Sequence, residues 1–308
     1  MAMSSGRLAV VCAAAWLSCA GAVGSRAAAA GRIYRLDAES TFQHGCFDPC
    51  TCPIGDELNV RGTFSVQFGG VGDVMNFYHV RDVNWLVATP DGDIRITGGG
   101  TYAVSNAGPD MQWLELDLVV GDLPVQHFFS DAVPTGDGLS HIDLTISVNG
   151  IYCLDTVIHV VATPVSPAEI LRLTFSDKST FQEGCWDPCD CPLSELMPVS
   201  GGFGLVVLSQ NAVFAEYAVV DVHWLARGSN NALLFVPVTG VGTYTVGGEV
   251  ASVHRLSVDL VVAGDAPTHF DSGLVAGGGA FPTIDILISI NGMVCWDRVF
   301  DLLAVPSE

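Results

Sequence analysis

Apolar and polar residues alternate along this chain with a period of two. Ile142, Leu144, Ile146 and Val148 interleave with Asp143, Thr145 and Ser147, and Ile284, Ile286, Ile288 and Ile290 repeat the pattern later. Leu114, Leu116, Leu118 and Val120 alternate with Glu115, Asp117 and Val119, and Val83, Trp85 and Val87 make a further run. Such alternation places one set of side chains on a core face and the other towards water, as in half-buried β-strands. Clusters of Gly, Pro, Asn and Asp break the runs at roughly ten-residue intervals. No apolar stripe of helical period and length is present. Asn149-Gly150 and Asn291-Gly292 each lie between two strand-like runs and predict hairpins closed by type I′ turns, which need positive φ at both central residues.

The pattern is written twice. "STFQ" at Ser40 returns at Ser179, "DVNWL" at Asp82 returns as "DVHWL" at Asp221, and "TGGGTY" at Thr97 returns as "TGVGTY" at Thr239. "DLVV" at Asp117 returns at Asp259, and "SVNGIYCLD" at Ser147 returns as "SINGMVCWD" at Ser289. The offset is 139 residues up to the tryptophan and 142 beyond it, so a three-residue insertion follows Leu225. A repeat of this length can bury its own core. The expected organisation is a leader over 1–30, a first β domain over 31–163, a short stiff linker over 164–169 with two prolines, and a second β domain over 170–308. The fold class is all-β: two homologous antiparallel domains in tandem, of about eight strands each, either sandwiches or barrels.

Each repeat carries a cysteine cluster, "GCFDPCTCP" from Gly45 and "GCWDPCDCP" from Gly184, and a fourth cysteine, Cys153 or Cys295, just past the Asn-Gly turn. A bond between Cys50 and Cys52, or Cys189 and Cys191, would close a strained ring over one residue. Two pairings remain. In both, one bond lies within the cluster of Cys46, Cys50 and Cys52 (or Cys185, Cys189 and Cys191), and one crosses to Cys153 or Cys295. The crossing bond closes a loop of roughly 100 residues, for which the chain-entropy model gives about 4–5 kcal/mol. A four-thiolate zinc site has the ligand count but lacks the usual two-residue spacing. A redox pair needs a cationic setting, where Asp48, Asp187 and Asp190 have the wrong sign. The reading is disulfides, with no metal and no cofactor.

The compartment follows from the N-terminus. Arg7, the apolar run Leu8–Val23 and the small residues up to Ala30 read as a cleaved export signal, with alanines placed for cleavage after Ala29 or Ala30. A retained anchor is the alternative to cleavage, and a lipoprotein signal ending at Cys19 is another. Loss of Cys12 and Cys19 with the leader leaves eight cysteines, an even number that suits an oxidising compartment. The mature chain is expected to be secreted or periplasmic, without a membrane span. The scarcity of lysine, with eleven arginines to one lysine, and the abundance of alanine and glycine hint at a bacterial source. Removing Arg7 and Arg26 leaves ten basic against thirty-three acidic residues, a net charge of −23. That surface repels nucleic acid and anionic lipid.

Catalytic motifs are scarce. There is no Gly-x-Ser-x-Gly elbow, no His-Glu-x-x-His and no phosphate loop leading into a helix. Polar residues present in both repeats include Asp82/Asp221, Asp117/Asp259, His127/His269, Ser130/Ser272, Asp143/Asp285 and Asp155/Asp297. Alternation makes Asp117, Asp143 and their counterparts solvated strand positions. His127 and His269, each followed by Phe and a Gly-rich stretch, are the candidate ligand-binding residues. A hydrolase built on Ser130 or Ser272 would need a further partner and an oxyanion hole. The function expected is a non-enzymatic secreted protein, structural or binding an extracellular partner. The alternative is a small-ligand carrier with a cavity in each barrel near His127 and His269.

Overall fold

The computed structural model describes residues 31–136, 138–228, 234–249, 252–277 and 279–307. The proposed leader, with Cys12 and Cys19, lies outside the described residues, as does most of the inserted loop after Leu225. In the first repeat the strands are β1 (Arg32–Leu36), β2 (Thr41–Cys46), β3 (Leu58–Val71), β4 (Met75–Val87), β5 (Ile94–Ser105), β6 (Met111–Val120), β7 (Gln126–Phe129), β8 (Val133–Pro134), β9 (Ile142–Ser147) and β10 (Leu154–Pro164). In the second they are β11 (Leu171–Phe175), β12 (Thr180–Trp186), β13 (Met197–Gln210), β14 (Phe214–Arg227), β15 (Phe235–Gly247), β16 (Val253–Val262), β17 (Thr268–Asp271), β18 (Val275–Ala276), β19 (Ile284–Ser289) and β20 (Cys295–Pro306). A single 3-10 turn, Pro167–Glu169, capped by the Ser166 side chain, joins the two sheets.

Every pairing is antiparallel, and in each repeat the ladder closes into a ring. From β3 it passes through β4, β5, β6, β7, β9 and β10, and β10 meets β1 and β2, which pair back onto β3. The second repeat closes in the same way through β13, β20, β11 and β12. Each repeat is therefore a barrel. The ring is thinnest where β7 meets β9 and β17 meets β19, each through one residue pair, Phe129–Ser147 and Asp271–Ser289.

Side chains fill the two interiors. Tyr34, Phe64, Trp85, Tyr102 and Phe128 are buried in the first, with Tyr34 stacked on Phe64 at 5.4 Å and Phe64 edge-on to Trp85 at 5.9 Å. Phe181, Trp224, Phe270 and Phe300 fill the second, where Phe181 and Phe300 lie 4.6 Å apart. An eight-stranded ring has an interior just wide enough for such packing. The Tyr102 hydroxyl donates to Gln112 at 2.8 Å, whereas the matching Tyr244 meets His254 Nδ1 at 3.2 Å.

The disulfides select between the two pairings left open. The outer cysteines of each cluster join to each other, Cys46 to Cys52 and Cys185 to Cys191, and the middle one crosses, Cys50 to Cys153 and Cys189 to Cys295. The last hairpins are present but do not turn as type I′. Ser147 faces Val157, so a broad loop lies between, and positive φ falls at Gly150, Ile151 and Cys153 rather than at Asn149. Gly292, Met293 and Cys295 repeat this. A buried carboxylate organises each loop. Asp155 accepts hydrogen bonds from the backbone N–H groups of Val148, Asn149, Ile151 and Thr156, and Asp297 from those of Ile290, Asn291, Met293 and Arg298. Four donors on one carboxylate outcompete a two-residue turn and bring Cys153 and Cys295 into position for their disulfides.

Candidate functional site

From Gly31 onward the chain forms one compact unit. A small apolar cluster joins the repeats: Ile33 of the first, Val165 of the connection, and Val206, Ala218 and Val220 of the second. The fully buried Asn84 donates from Nδ2 to the Gly242 carbonyl at 2.7 Å. Arg61 donates to Glu216 at 2.7 Å and to Asp93 at 3.2 Å, and Arg95 donates to Asp259 at 2.7 Å. Burial opposes the charge of Arg61, but its bonds to Glu216 and Asp93 outweigh that and raise its pKa.

Beside these contacts lies a cleft of about 700 Å³ between the outer faces of β5 and β6 on one side and β15 and β16 on the other. The same positions of the two repeats line it: Thr97 and Thr239, Gly98 and Gly240, Asp117 and Asp259, Val119 and Val261, Val125 and Pro267. The outward-facing members of "TGGG"/"TGVG" and "DLVV" thus meet across one space. Alternation explains how. Leu118 and Val120, like Leu260 and Val262, point into the barrels, so Asp117, Val119, Asp259 and Val261 must point out. Val119 and Val261 are apolar at outward positions because each forms a wall of the cleft.

Two backbone features shape one side. Asp82 has φ of +53° at a bulge in β4, where the register skips between Val80 and Val83. Aspartate tolerates that left-handed conformation, and a bulge re-aims its side chain; Asp82 lines the cleft and accepts from the Ser65 hydroxyl at 2.9 Å. Its counterpart Asp221 has the same conformation but pairs with Arg172.

The candidate histidines stand on the outer face, not towards the barrel interiors, and each meets a carboxylate that lines the cleft without lining it itself. His127 lies opposite Asp117 in the β6–β7 ladder and His269 opposite Asp259 in the β16–β17 ladder. Their Nδ1 atoms meet Asp117 and Asp259 at 2.9 Å and 2.7 Å. The hydrogen bond to Asp259 raises the His269 pKa, against a smaller opposing effect of burial. Burial pushes the Asp259 carboxyl up, but His269 and Arg95 outweigh it and bring it below its ordinary value. Ser130 and Ser272 are not placed as nucleophiles. Ser130 Oγ accepts from the Leu114 N–H, and Ser272 Oγ accepts from Leu256 and donates to the Gly273 carbonyl. Ser257, which the sequence reading passed over, lies 3.4 Å from His269 Nε2. Arg95 was equally overlooked, since its match in the second repeat is Pro237 and the two repeats share no arginine there.

No protein-family model and no curated protein matches the chain. Among solved structures, a protein of Bacteroides fragilis NCTC 9343, provisionally described as an outer membrane protein, is similar at a TM-score of 0.21 and 8% identity, over 90% of this chain and 97% of its own. A likeness that remote carries no argument. Among the described residues no three His, Cys, Asp or Glu side chains are grouped to hold a metal ion, and no helix is long and apolar enough to cross a membrane.

Proposed function

We propose that this chain is a non-enzymatic binding protein that works outside the cytoplasm and takes its ligand in the cleft between the repeats. The observation that carries this is the cleft's construction. Equivalent outward residues of both repeats, including the valines at positions 119 and 261, surround a space of ligand size. Four disulfides support an oxidising setting. The seat differs from the expected cavity in each barrel near His127 and His269, because the ring interiors are occupied by their own aromatic side chains. The test is native mass spectrometry of protein recovered from its host's envelope, beside a Val119→Lys variant. A bound organic mass lost in the variant supports the reading. A bare wild-type chain, or an adduct equally present in the variant, overturns it.

Ser257, His269 and Asp259 favour a second reading, an ester hydrolase. Ser257 Oγ would attack, His269 Nε2 would take its proton, and Asp259 would hold the ring. Against it, His269 Nε2 also faces Asp271 at 3.7 Å, and two carboxylates raise the pKa of the imidazole between them, so that the ring tends to hold its proton already instead of being free to take one from Ser257. Covalent labelling of Ser257 by a fluorophosphonate, abolished in His269→Ala, would establish this second reading; an unlabelled serine removes it.

A further inference from the structure

We infer that the cleft selects an amphipathic cation, a ligand with an apolar body and an ammonium head. The inference rests on the cleft being the binding seat and adds the chemical class of its occupant. The walls are apolar through Val119, Val125, Val241, Val261 and Pro267. The charged groups that face the same space are Asp82, Asp117, Asp259 and Arg95. Arg95 is committed to Asp259 at 2.7 Å and to the Ser257 carbonyl at 3.4 Å, so the second repeat's wall is neutralised.

The first repeat's wall is not. Asp82 accepts only a neutral hydroxyl bond from Ser65, and Asp117 meets the imidazole of His127; neither meets an arginine or lysine among the described residues. Their side chains are exposed at the edge of an apolar surface, Asp117 at 69%, so both are accessible to a ligand, and a charge-assisted hydrogen bond from an ammonium is stronger than a neutral one. A neutral apolar ligand would leave these carboxylates partly desolvated without a partner. An anionic one would add repulsion from both. An ammonium group bonded to them, with its hydrocarbon on the valines, satisfies charge and apolar surface together. The strong net acidity of the chain steers such cations towards it.

The experiment titrates the intact, oxidised protein by calorimetry with octylammonium, octyl sulfate and octyl glucoside at low salt, all below their micelle concentrations. The three share one hydrocarbon and differ in the head. Octylammonium is expected to bind once per chain and at least about tenfold more tightly than the other two. Asp82→Asn and Asp117→Asn should each weaken octylammonium by about tenfold and leave octyl glucoside unchanged. Asparagine keeps the left-handed conformation at position 82, so folding is preserved. Val119→Lys on one wall and Val261→Lys on the other should both abolish binding, with circular dichroism and disulfide content as checks of the fold.

Equal binding of all three heads, lost in the lysine variants, overturns the cation class while leaving the cleft as the seat. Preference for octyl sulfate does the same. Binding indifferent to both lysine variants, or no binding of any probe, overturns both the class and the seat.

Discussion

A buried carboxylate is ordinarily a liability, yet Asp155 and Asp297, at 3% and 0% exposure, each gather four backbone N–H groups. Removing the acceptor would strand those donors. Asp297→Ala should lower stability by about 3 kcal/mol in urea unfolding and reduce formation of the Cys189–Cys295 bond, because the loop that presents Cys295 loses its organiser. His254 is a different residue-scale liability. Burial lowers its pKa below the ordinary 6.5, with Asp285 opposing weakly, so the fold favours the neutral ring. Its contribution is present above pH 6.5 and is lost as pH falls through the folded pKa. His254→Gln, which restores the residue found at the matching Gln112, should therefore gain stability relative to the wild type as pH is lowered from 8 to 5. The urea midpoint over that range checks it. His269 has the opposite sign: its raised pKa makes its contribution complete below pH 6.5 and lost as pH rises through the folded value.

At the scale of elements, the two disulfides of a repeat do unequal work. Cys46–Cys52 spans 6 residues and Cys50–Cys153 spans 103. In the chain-entropy model the long loop contributes roughly 2 kcal/mol more than the short one. Replacing Cys50 and Cys153 together by serine should thus lower stability by about that much more than replacing Cys46 and Cys52 together, as read from chemical denaturation. The strands themselves were legible in the sequence because alternation is a local signal: Leu114, Leu116, Leu118 and Val120 all point inwards, as read. Ring closure was not legible, since it depends on β10 meeting β1 and β2, contacts between distant segments that no local pattern encodes. The turn type failed for the same reason. Asn149-Gly150 reads as a two-residue turn until Asp155, from the next strand, is placed beneath it. His127 and His269 were visible by repetition, but whether they faced the interior depended on the strand phase, with Phe128 and Phe270 taking the inward positions.

For the whole molecule, the repeat is what makes the cleft, and Arg95 is what makes it asymmetric. It couples the repeats through Asp259, with both side chains only about one-fifth exposed at 20% and 22%. Arg61 does the same through Glu216. Arg61→Ala combined with Arg95→Ala should leave each barrel folded but loosen the pair. The radius of gyration in small-angle scattering is expected to rise, and a protease should cut near Ser166 faster. The sequence showed the two copies and the residues they share. It did not show that the shared faces turn towards each other, because a cleft between repeats leaves no periodic trace beyond an apolar residue, Val119 or Val261, at a position alternation reserves for water.

The first and last strands of each barrel lie side by side, and the crossing disulfide lies just inside them. This has a mechanical meaning. Tension on the chain ends would peel β1 from β10 but could draw out only the residues beyond Cys50 and Cys153, about thirty per repeat, or roughly 100 Å of contour. The stretch between the two cysteines is shielded from the load. In single-molecule pulling the oxidised protein should lengthen in two such short steps and then stop, while the reduced protein should give steps roughly four times longer. Each repeat would thus behave under load as a short link with a fixed limit of extension.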